Sequence, residues 1–234
     1  MSRVQEYRQA LRGLPVAEWA GYLARHSGLP GPRANLSLLQ AAGDEGDAAW
    51  LSEMAGGRDE FEAATGAAGL GRVLTEDPDE TVLNRLRQLA ADPRWRVREG
   101  VAMALQRLGD LAPERLWSVV EAWAADDDPL VQRAAVAGMC EPRLLRTQNG
   151  SAVALAACST VTQSLAARPL PQRRNESIRV LRQALGYCWS VAVAADPDAG
   201  LPLFDSLRAD PDPDVAWIVR QNSKKARLKA LLDG

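Results

Sequence analysis

Residues 92–109 read DPRWRVREGVAMALQRLG and contain the pattern that decides the fold. An Asp-Pro pair opens the stretch, and Val97, Val101, Leu105 and Leu108 then follow at spacings of four, four and three. Asp before Pro suits the start of a helix, because Asp caps free amides and Pro fits the first turn. Apolar residues at these spacings form one stripe along an amphipathic helix. The stretch therefore predicts a helix that packs one face against a core.

The same two signals recur along the chain. Apolar stripes of helical spacing return in residues 116–123 and 178–189, and no stretch shows the sustained alternation of a strand. Six Asp-Pro pairs punctuate the chain: Asp77-Pro78, Asp92-Pro93, Asp128-Pro129, Asp196-Pro197, Asp210-Pro211 and Asp212-Pro213. The helical patterns between them run for roughly 11 to 22 residues and are joined by short connections, which predicts antiparallel helix pairs. The fold class is therefore all-α.

The helical patterns also repeat. Residues that follow a helix start in the same register are separated by 34, 47 and 37 positions, and they are Val97, Val131, Ile178 and Val215. Such separations are typical of two-helix repeats. The chain resembles the HEAT-repeat family, in which an Asp-containing turn precedes a Val-Arg pair near the start of the second helix. The resemblance covers roughly residues 77–230 and implies a right-handed α-solenoid. It departs from the pattern at Gln132 and Ala216, which replace the Arg.

We expect an N-terminal helical cap region over residues 1–75 and a HEAT-like repeat region over 76–234, packed as one continuous domain. First helices of the repeats are predicted near 79–91, 112–125, 150–167 and 199–209. Second helices are predicted near 94–108, 129–140, 173–194 and 213–230. The cap region is predicted to hold helices near 2–12, 15–26, 34–43 and 46–56. Five glycines in residues 56–72 predict a mobile connection there.

Composition and motif content exclude several classes of protein. A formal charge of −2 excludes binding by overall positive charge. His26 is the only histidine, and its place before Gly28 predicts the last turn of a helix. Because the sequence contains no GxGxxG, P-loop, CxxC or HExxH motif, we expect no cofactor and no metal. The three cysteines lie in apolar helical patterns, which predicts buried free thiols in a reducing compartment: Cys140, Cys158 and Cys188.

The same sequence carries no signal for a membrane. No apolar run reaches the roughly 18 residues that a membrane span needs. The first residues, MSRVQEYRQALRG, lack a hydrophobic signal core. We therefore expect a cytoplasmic protein that is a monomer, with no membrane association. Its richness in Arg over Lys is associated with bacterial sources.

Positive charge is concentrated on the predicted second helices. The predicted first helices are nearly balanced in charge, whereas the second helices carry a large excess of Arg and Lys over Asp and Glu. In the solenoids that the chain resembles, second helices line the concave surface, which implies a basic concave face. Such a face attracts acidic protein segments or a nucleic acid backbone. The candidate ligand-binding residues are Arg94, Trp95, Arg98, Arg133, Arg179, Arg182, Trp217, Arg220 and Lys224.

A structural role explains some of these residues as well. Arg98 and Arg179 are also expected partners for aspartates in the turns, such as Asp92. Trp95 and Trp217 suit a core position equally. The sequence leaves open whether the basic helices are exposed or paired.

These observations predict a non-catalytic scaffold whose basic concave face binds an acidic protein segment or nucleic acid. The alternative is a DNA-binding protein, since the chain loosely resembles the HEAT-like DNA-alkylation-repair glycosylases in size, repeat type and Trp-bearing basic helices. No catalytic residue of those enzymes carries over to this sequence. Glu99 and Glu176 lie near basic residues, but both suit pairing with an arginine three or four positions away. Whether the protein is an enzyme therefore stays open.

Overall fold

The computed structural model describes residues 1–31, 33–76 and 79–232. All regular secondary structure within these ranges is helical, which confirms the all-α class. Contacts divide the chain into two compact units, residues 1–108 and 109–234. The predicted boundary between residues 75 and 76 separates the cap region from the repeat region, and it stays a prediction.

The first unit is built from seven helices. Helix α4 packs against α5, and α5 also packs against α3 and α6, while α1 packs against α3. A short 3-10 turn at Val16–Glu18 precedes α2. The helices are α1 Arg3–Arg12, α2 Trp19–His26, α3 Leu36–Glu45, α4 Ala48–Ala55, α5 Glu60–Glu76, α6 Glu80–Ala90 and α7 Trp95–Leu111.

The second unit holds the remaining helices in two layers. Helices α8, α10 and α12 are each followed by a partner that packs against them, namely α9, α11 and α13. Helix α11 also packs against α9 and α13, while α10 packs against α8 and α12. The helices are α8 Pro113–Ala124, α9 Pro129–Met139, α10 Gln148–Ala167, α11 Glu176–Ala195, α12 Pro197–Arg208, α13 Pro213–Ser223 and α14 Ala226–Leu232.

The predicted helix starts depend on Asp side chains. Asp128, Asp196 and Asp212 each cap a helix whose first residue is Pro, and each accepts a hydrogen bond from a backbone amide. Asp92 and Asp210 instead stabilise the turn before a helix, where each accepts from the amide two residues later. The pair at residues 77 and 78 lies outside the described residues.

The glycine-rich segment departs from its prediction. Most of residues 56–72, expected as a mobile connection, lie in the 17-residue helix α5, and its apolar residues are buried. Glycine is used there for close packing, because a Cβ at Gly66 would lie 2.3 Å from the backbone N of Ala55. A Cβ at Gly71 would likewise lie 2.3 Å from the carbonyl O of Ala104. Local helix propensity is overridden here by the close approach of α4 and α7 to α5.

The predicted helix over residues 213–230 is also wrong in detail. The chain forms two helices, α13 and α14, separated by a turn in which the amide of Lys225 donates to the carbonyl O of Asn222. Asn222 is fully buried and hydrogen-bonds to the backbone of α11. Its amide therefore belongs to the core, although the sequence places it in a polar break of the apolar stripe.

Helix α10 is long and apolar enough to cross a membrane. Its 20 residues have a mean hydropathy of 1.2 in the most apolar window, and half of that window is buried inside the protein. Core helices pass the same test of length and composition. One such helix is therefore weak evidence for a membrane span. The sequence predicts a helix here, but the search for an unbroken apolar run does not pick it out as a candidate span, because Ser, Thr and Gln interrupt its apolar residues.

The cysteines are free and buried as predicted, and they lie on α9, α10 and α11 or at their ends. The sulfur atoms of Cys140 and Cys158 are 3.7 Å apart. A hydrogen bond with Cys140, together with burial, raises the pKa of Cys188 well above its ordinary value. The thiol of Cys188 is therefore kept in its unreactive protonated form.

Candidate partner-binding surface

The candidate arginines of the first unit stabilise the turn between α6 and α7. The Arg94 guanidinium forms two hydrogen bonds with the carboxylate of Asp92, at 2.9 and 2.8 Å. Its third nitrogen donates to the carbonyl O of Gly57 at 2.9 Å. Arg98 is only 9% exposed and donates to the carbonyl O atoms of Asp92 and Pro93. Both side chains are therefore held by the fold of this unit.

Trp95, the aromatic candidate of the first unit, is not a core residue. It is 53% exposed at the first residue of α7. The guanidinium of Arg96 lies over its ring, 5.1 Å from the centroid, and also pairs with Glu60 at 3.0 Å. Trp95 thus presents an apolar surface with a cation at its edge.

In the second unit, an ion-pair network joins the start of α11 to the start of α13. Arg173 is only 9% exposed and donates to Asp212 at 2.6 Å and to Asp214 at 3.2 Å. Its Nε donates to the carbonyl O of Arg168 at 2.7 Å. Arg182 pairs with the other carboxylate oxygen of Asp214. Arg173 falls at the start of the predicted second helix 173–194, and in the fold its buried side chain links α11 to the turn before α13.

The charges in this network shift the titration of Asp212. Burial alone would raise the pKa of its carboxyl, but hydrogen bonds from Arg173 and from the amides of Val215 and Asp214 outweigh it. The pKa of Asp212 therefore lies below its ordinary value. A carboxylate with a lowered pKa stabilises the folded state above the ordinary Asp pKa of ~3.9 and loses that contribution as the pH falls.

Replacing Asp212 with asparagine separates the charge of this residue from its capping role. Asn keeps the Oδ1 that accepts from Asp214 and Val215 but removes the negative charge beside Arg173. We expect Asp212→Asn to lower the free energy of unfolding by about 1–2 kcal/mol at neutral pH. The loss should shrink as the pH falls from about 3.9 towards the lowered pKa of the folded protein, because the carboxylate is protonated first in the unfolded chain and then in the fold. Urea unfolding of both proteins between neutral pH and about pH 3 measures this, and a loss that is equal at all pH values would contradict it.

Five of the six candidates in the second unit lie on α11, on α13 or just after α13, and we name them the basic face: Arg179, Arg182, Trp217, Arg220 and Lys224. Trp217 lies against α11, because a Cβ at Gly186 would meet its ring at 2.8 Å. Arg220 and Lys224 follow Trp217 by three and seven residues, and therefore share its side of the helical turn. Arg179 precedes Gly186 by seven residues and shares its side of α11 in the same way. The basic face therefore flanks the line where α11 meets α13.

Three cations of the basic face are not held by ion pairs within the described part of the chain. Arg179, Arg220 and Lys224 are exposed, and their side chains have no partner among the residues that the structure describes. Arg182 is bound to Asp214, and its guanidinium lies 4.8 Å from the centroid of Trp217. The ring of Trp217 is therefore covered by a cation and by the backbone of α11.

A second aromatic residue missed by the sequence argument lies nearby on α11. Tyr187 is 40% exposed, with Lys225 and Arg227 over its ring at 5.7 and 5.1 Å from the centroid. Arg227 also donates to its hydroxyl at 3.3 Å. Its spacing of eight residues from Arg179 is a signal that places both on one side of α11.

The other candidates are placed elsewhere. Arg133 lies half-buried on α9, and its side chain has an intramolecular partner. His26 is exposed in the last turn of α2, as predicted, and its ring lies 4.4 Å from that of Tyr22. Glu176 is exposed at the first residue of α11, and Glu99, which lies on α7, has an intramolecular partner. Within the described ranges, no group of three or more His, Cys, Asp or Glu residues could hold a metal ion.

Comparison with known proteins identifies the class of the fold. Residues 48–140, from α4 to the end of α9, match the family model described as HEAT repeats. Residues 48–140 therefore contain HEAT repeats, which agrees with the resemblance seen in the Asp-containing turns and helix pairs. No curated protein matches the chain. A crystal structure of an engineered protein from the Northeast Structural Genomics Consortium is similar to it at 19% identity, with a TM-score of 0.40 over 100% of both chains.

Proposed function

We propose that the protein is a non-catalytic HEAT-repeat scaffold whose basic face binds an acidic segment of a partner protein. HEAT repeats build helical scaffolds that typically bind proteins. The observation that carries the proposal is the set of three exposed cations without intramolecular partners, on adjacent α11 and α13. Exposed cations without an intramolecular ion pair attract carboxylates of a partner. They thereby raise the rate and the specificity of association.

The chemistry of the basic face favours a protein segment over nucleic acid. Single-stranded nucleic acids are bound largely by stacking bases on open aromatic rings. The ring of Trp217 is covered by Arg182, and that of Tyr187 by Lys225 and Arg227. A net charge of −2 also gives no general attraction for a phosphate backbone. An acidic protein segment needs no open aromatic ring, because its carboxylates bind through ion pairs with the cations of the basic face.

The test measures binding of a fluorescein-labelled deca-glutamate peptide by anisotropy at low and at moderate salt. The variant Arg179→Glu/Arg220→Glu/Lys224→Glu reverses the three exposed cations, and their exposure makes unfolding an unimportant risk. We expect its affinity for the peptide to fall at least about tenfold, and wild-type binding to weaken as salt rises.

The matched control reverses three exposed cations of the first unit in Arg3→Glu/Arg25→Glu/Arg58→Glu. It changes the net charge by the same amount, so its binding should stay within about twofold of wild type. Equal losses in the two triple variants would contradict the proposal. A labelled DNA duplex is measured in parallel, and duplex binding that is tighter than peptide binding and is lost only in the first variant would replace the acidic segment by nucleic acid.

A further inference from the structure

A groove in the first unit is unrelated to the basic face and has a different chemistry. Its floor is formed by Phe61 and Ala64 of α5, which are each 1% exposed. Leu36 and Leu39 of α3 form one wall, and α7 forms the other. The lining residues of α7 are Trp95, Arg96, Glu99, Gly100, Ala102, Met103 and Gln106. From Trp95 to Gln106 this wall is roughly 16 Å long, at 1.5 Å per residue.

The side chains of the groove leave apolar surface exposed. Leu36 is 57% exposed and Trp95 is 53% exposed, although both line a cavity whose floor is buried. Gly100 lets α7 pack closely on α5 at this floor, because a Cβ there would lie 2.5 Å from the carbonyl O of Ala64. Exposed apolar surface around a concave site marks a place where a ligand or partner binds.

The volume of the groove favours a small-molecule ligand over a protein partner. At about 360 Å³ it is the size of a site for one small molecule. A stable protein interface instead buries about 800 Å² on each partner, far more surface than a groove of this size provides. A lining that is mostly apolar with a few polar groups is also typical of a small-molecule site.

The positive charge of Arg33 in the lining of the groove indicates which polar group a ligand would carry. Arg33 lines this end, is exposed, and has no side-chain partner in the described part of the chain. Arg96 lines the groove as well, with its charge balanced by Glu60. Glu99 is the acidic residue of the lining and has an intramolecular partner. The guanidinium of Arg33 is therefore the available charge, and a guanidinium binds a carboxylate in a two-point arrangement.

We propose that this groove binds a small amphiphilic carboxylate, with its apolar body between α3 and α7 and its carboxylate on Arg33. The apolar body covers Leu36 and Trp95, which the fold leaves exposed. The proposal is independent of the basic face, which lies in the other unit. Failure of one proposal therefore leaves the other unaffected.

The experiment titrates the full chain with decanoate by isothermal calorimetry, below the critical micelle concentration of the probe. Decylammonium is the matched probe, since it has the same chain with the opposite charge. We expect one decanoate to bind per chain, with decylammonium at least about tenfold weaker. Arg33→Glu should weaken decanoate binding at least about tenfold, and Trp95→Ala about fivefold or more, because it removes one wall.

Two control variants test whether the loss of decanoate binding is confined to residues that line the groove. Arg25→Glu reverses an exposed cation on α2, and Leu170→Ala shortens an exposed apolar residue of the second unit. Neither residue lines the groove, so both variants should bind decanoate like wild type. The proposal is overturned if decanoate shows no saturable binding, if decylammonium binds equally well, or if Arg33→Glu binds decanoate as tightly as Arg25→Glu does. Far-UV circular dichroism confirms that each variant is folded.

Discussion

Arg173→Met is expected to lower the free energy of unfolding by about 3–5 kcal/mol, because it removes the cation from half-buried Asp212 and leaves buried Asp214 with Arg182 as its one cation. Arg173 is 9% exposed and donates to Asp212, to Asp214 and to the carbonyl O of Arg168. Methionine fills much of the same volume, so packing is largely retained while every donor is lost. The expected loss of stability therefore comes from the carboxylates of Asp212 and Asp214, which lose this cation. Urea unfolding at neutral pH measures the difference from wild type.

The neighbouring residue provides the control for this substitution. Arg174 is exposed, and its side chain has no partner among the described residues. Arg174→Met should therefore change the free energy of unfolding by no more than about 0.5 kcal/mol. A double-mutant cycle of Arg173→Met with Asp212→Asn should show coupling of at least about 1 kcal/mol, because the two side chains are in contact. Equal effects of Arg173→Met and Arg174→Met would show that the network contributes nothing.

The arginines illustrate how much of the candidate site could be predicted from sequence. Charge counting assigns an excess of cations to the predicted second helices, but Arg94, Arg173, Arg174 and Lys224 lie just outside α7, α11 and α13 as the structure bounds them. It cannot assign partners, because Arg173 meets Asp212 across 39 residues of chain. Arg94 and Arg98 are held in the same way by a turn, whereas Arg179 and Arg220 are exposed. Which arginines are paired and which are exposed is therefore decided by the turn before α7 in the first unit and by the packing of α11 on α13 in the second.

Helix α5 shows where sequence analysis fails for a physical reason. Glycine has low helix propensity, and the helical signal of the alanines is outweighed by Gly56 and Gly57 together with the three glycines of α5, which are Gly66, Gly69 and Gly71. In the fold they are buried where neighbouring backbones approach closely, so the close packing offsets their cost. Propensity is a local property, and the contacts that reverse it come from α3, α4 and α7.

Gly66→Ala is the substitution that tests this explanation. In an exposed helix the change would stabilise by up to about 1 kcal/mol, since Ala has the higher helix propensity. At Gly66 the new Cβ would lie 2.3 Å from the N of Ala55, 2.6 Å from the carbonyl O of Leu51 and 2.8 Å from the Cα of Ala55. All three are backbone atoms of α4, so a whole helix must move to relieve the clash. We expect a net loss of about 2–3 kcal/mol or more in the free energy of unfolding.

Gly21→Ala is the matched control, and its expected sign is opposite. Gly21 lies in α2, is exposed, and a Cβ there would meet only the Nη1 of Arg25 at 3.4 Å, an atom at the end of a flexible side chain. The substitution should therefore raise the free energy of unfolding by about 0.5–1 kcal/mol. Thermal unfolding of both variants beside wild type decides the matter: a lower Tm for Gly66→Ala with a higher one for Gly21→Ala supports close packing of α4 on α5. If both variants were stabilised, the glycines of α5 would be no more than poor helix formers, and the explanation for the helix would be wrong.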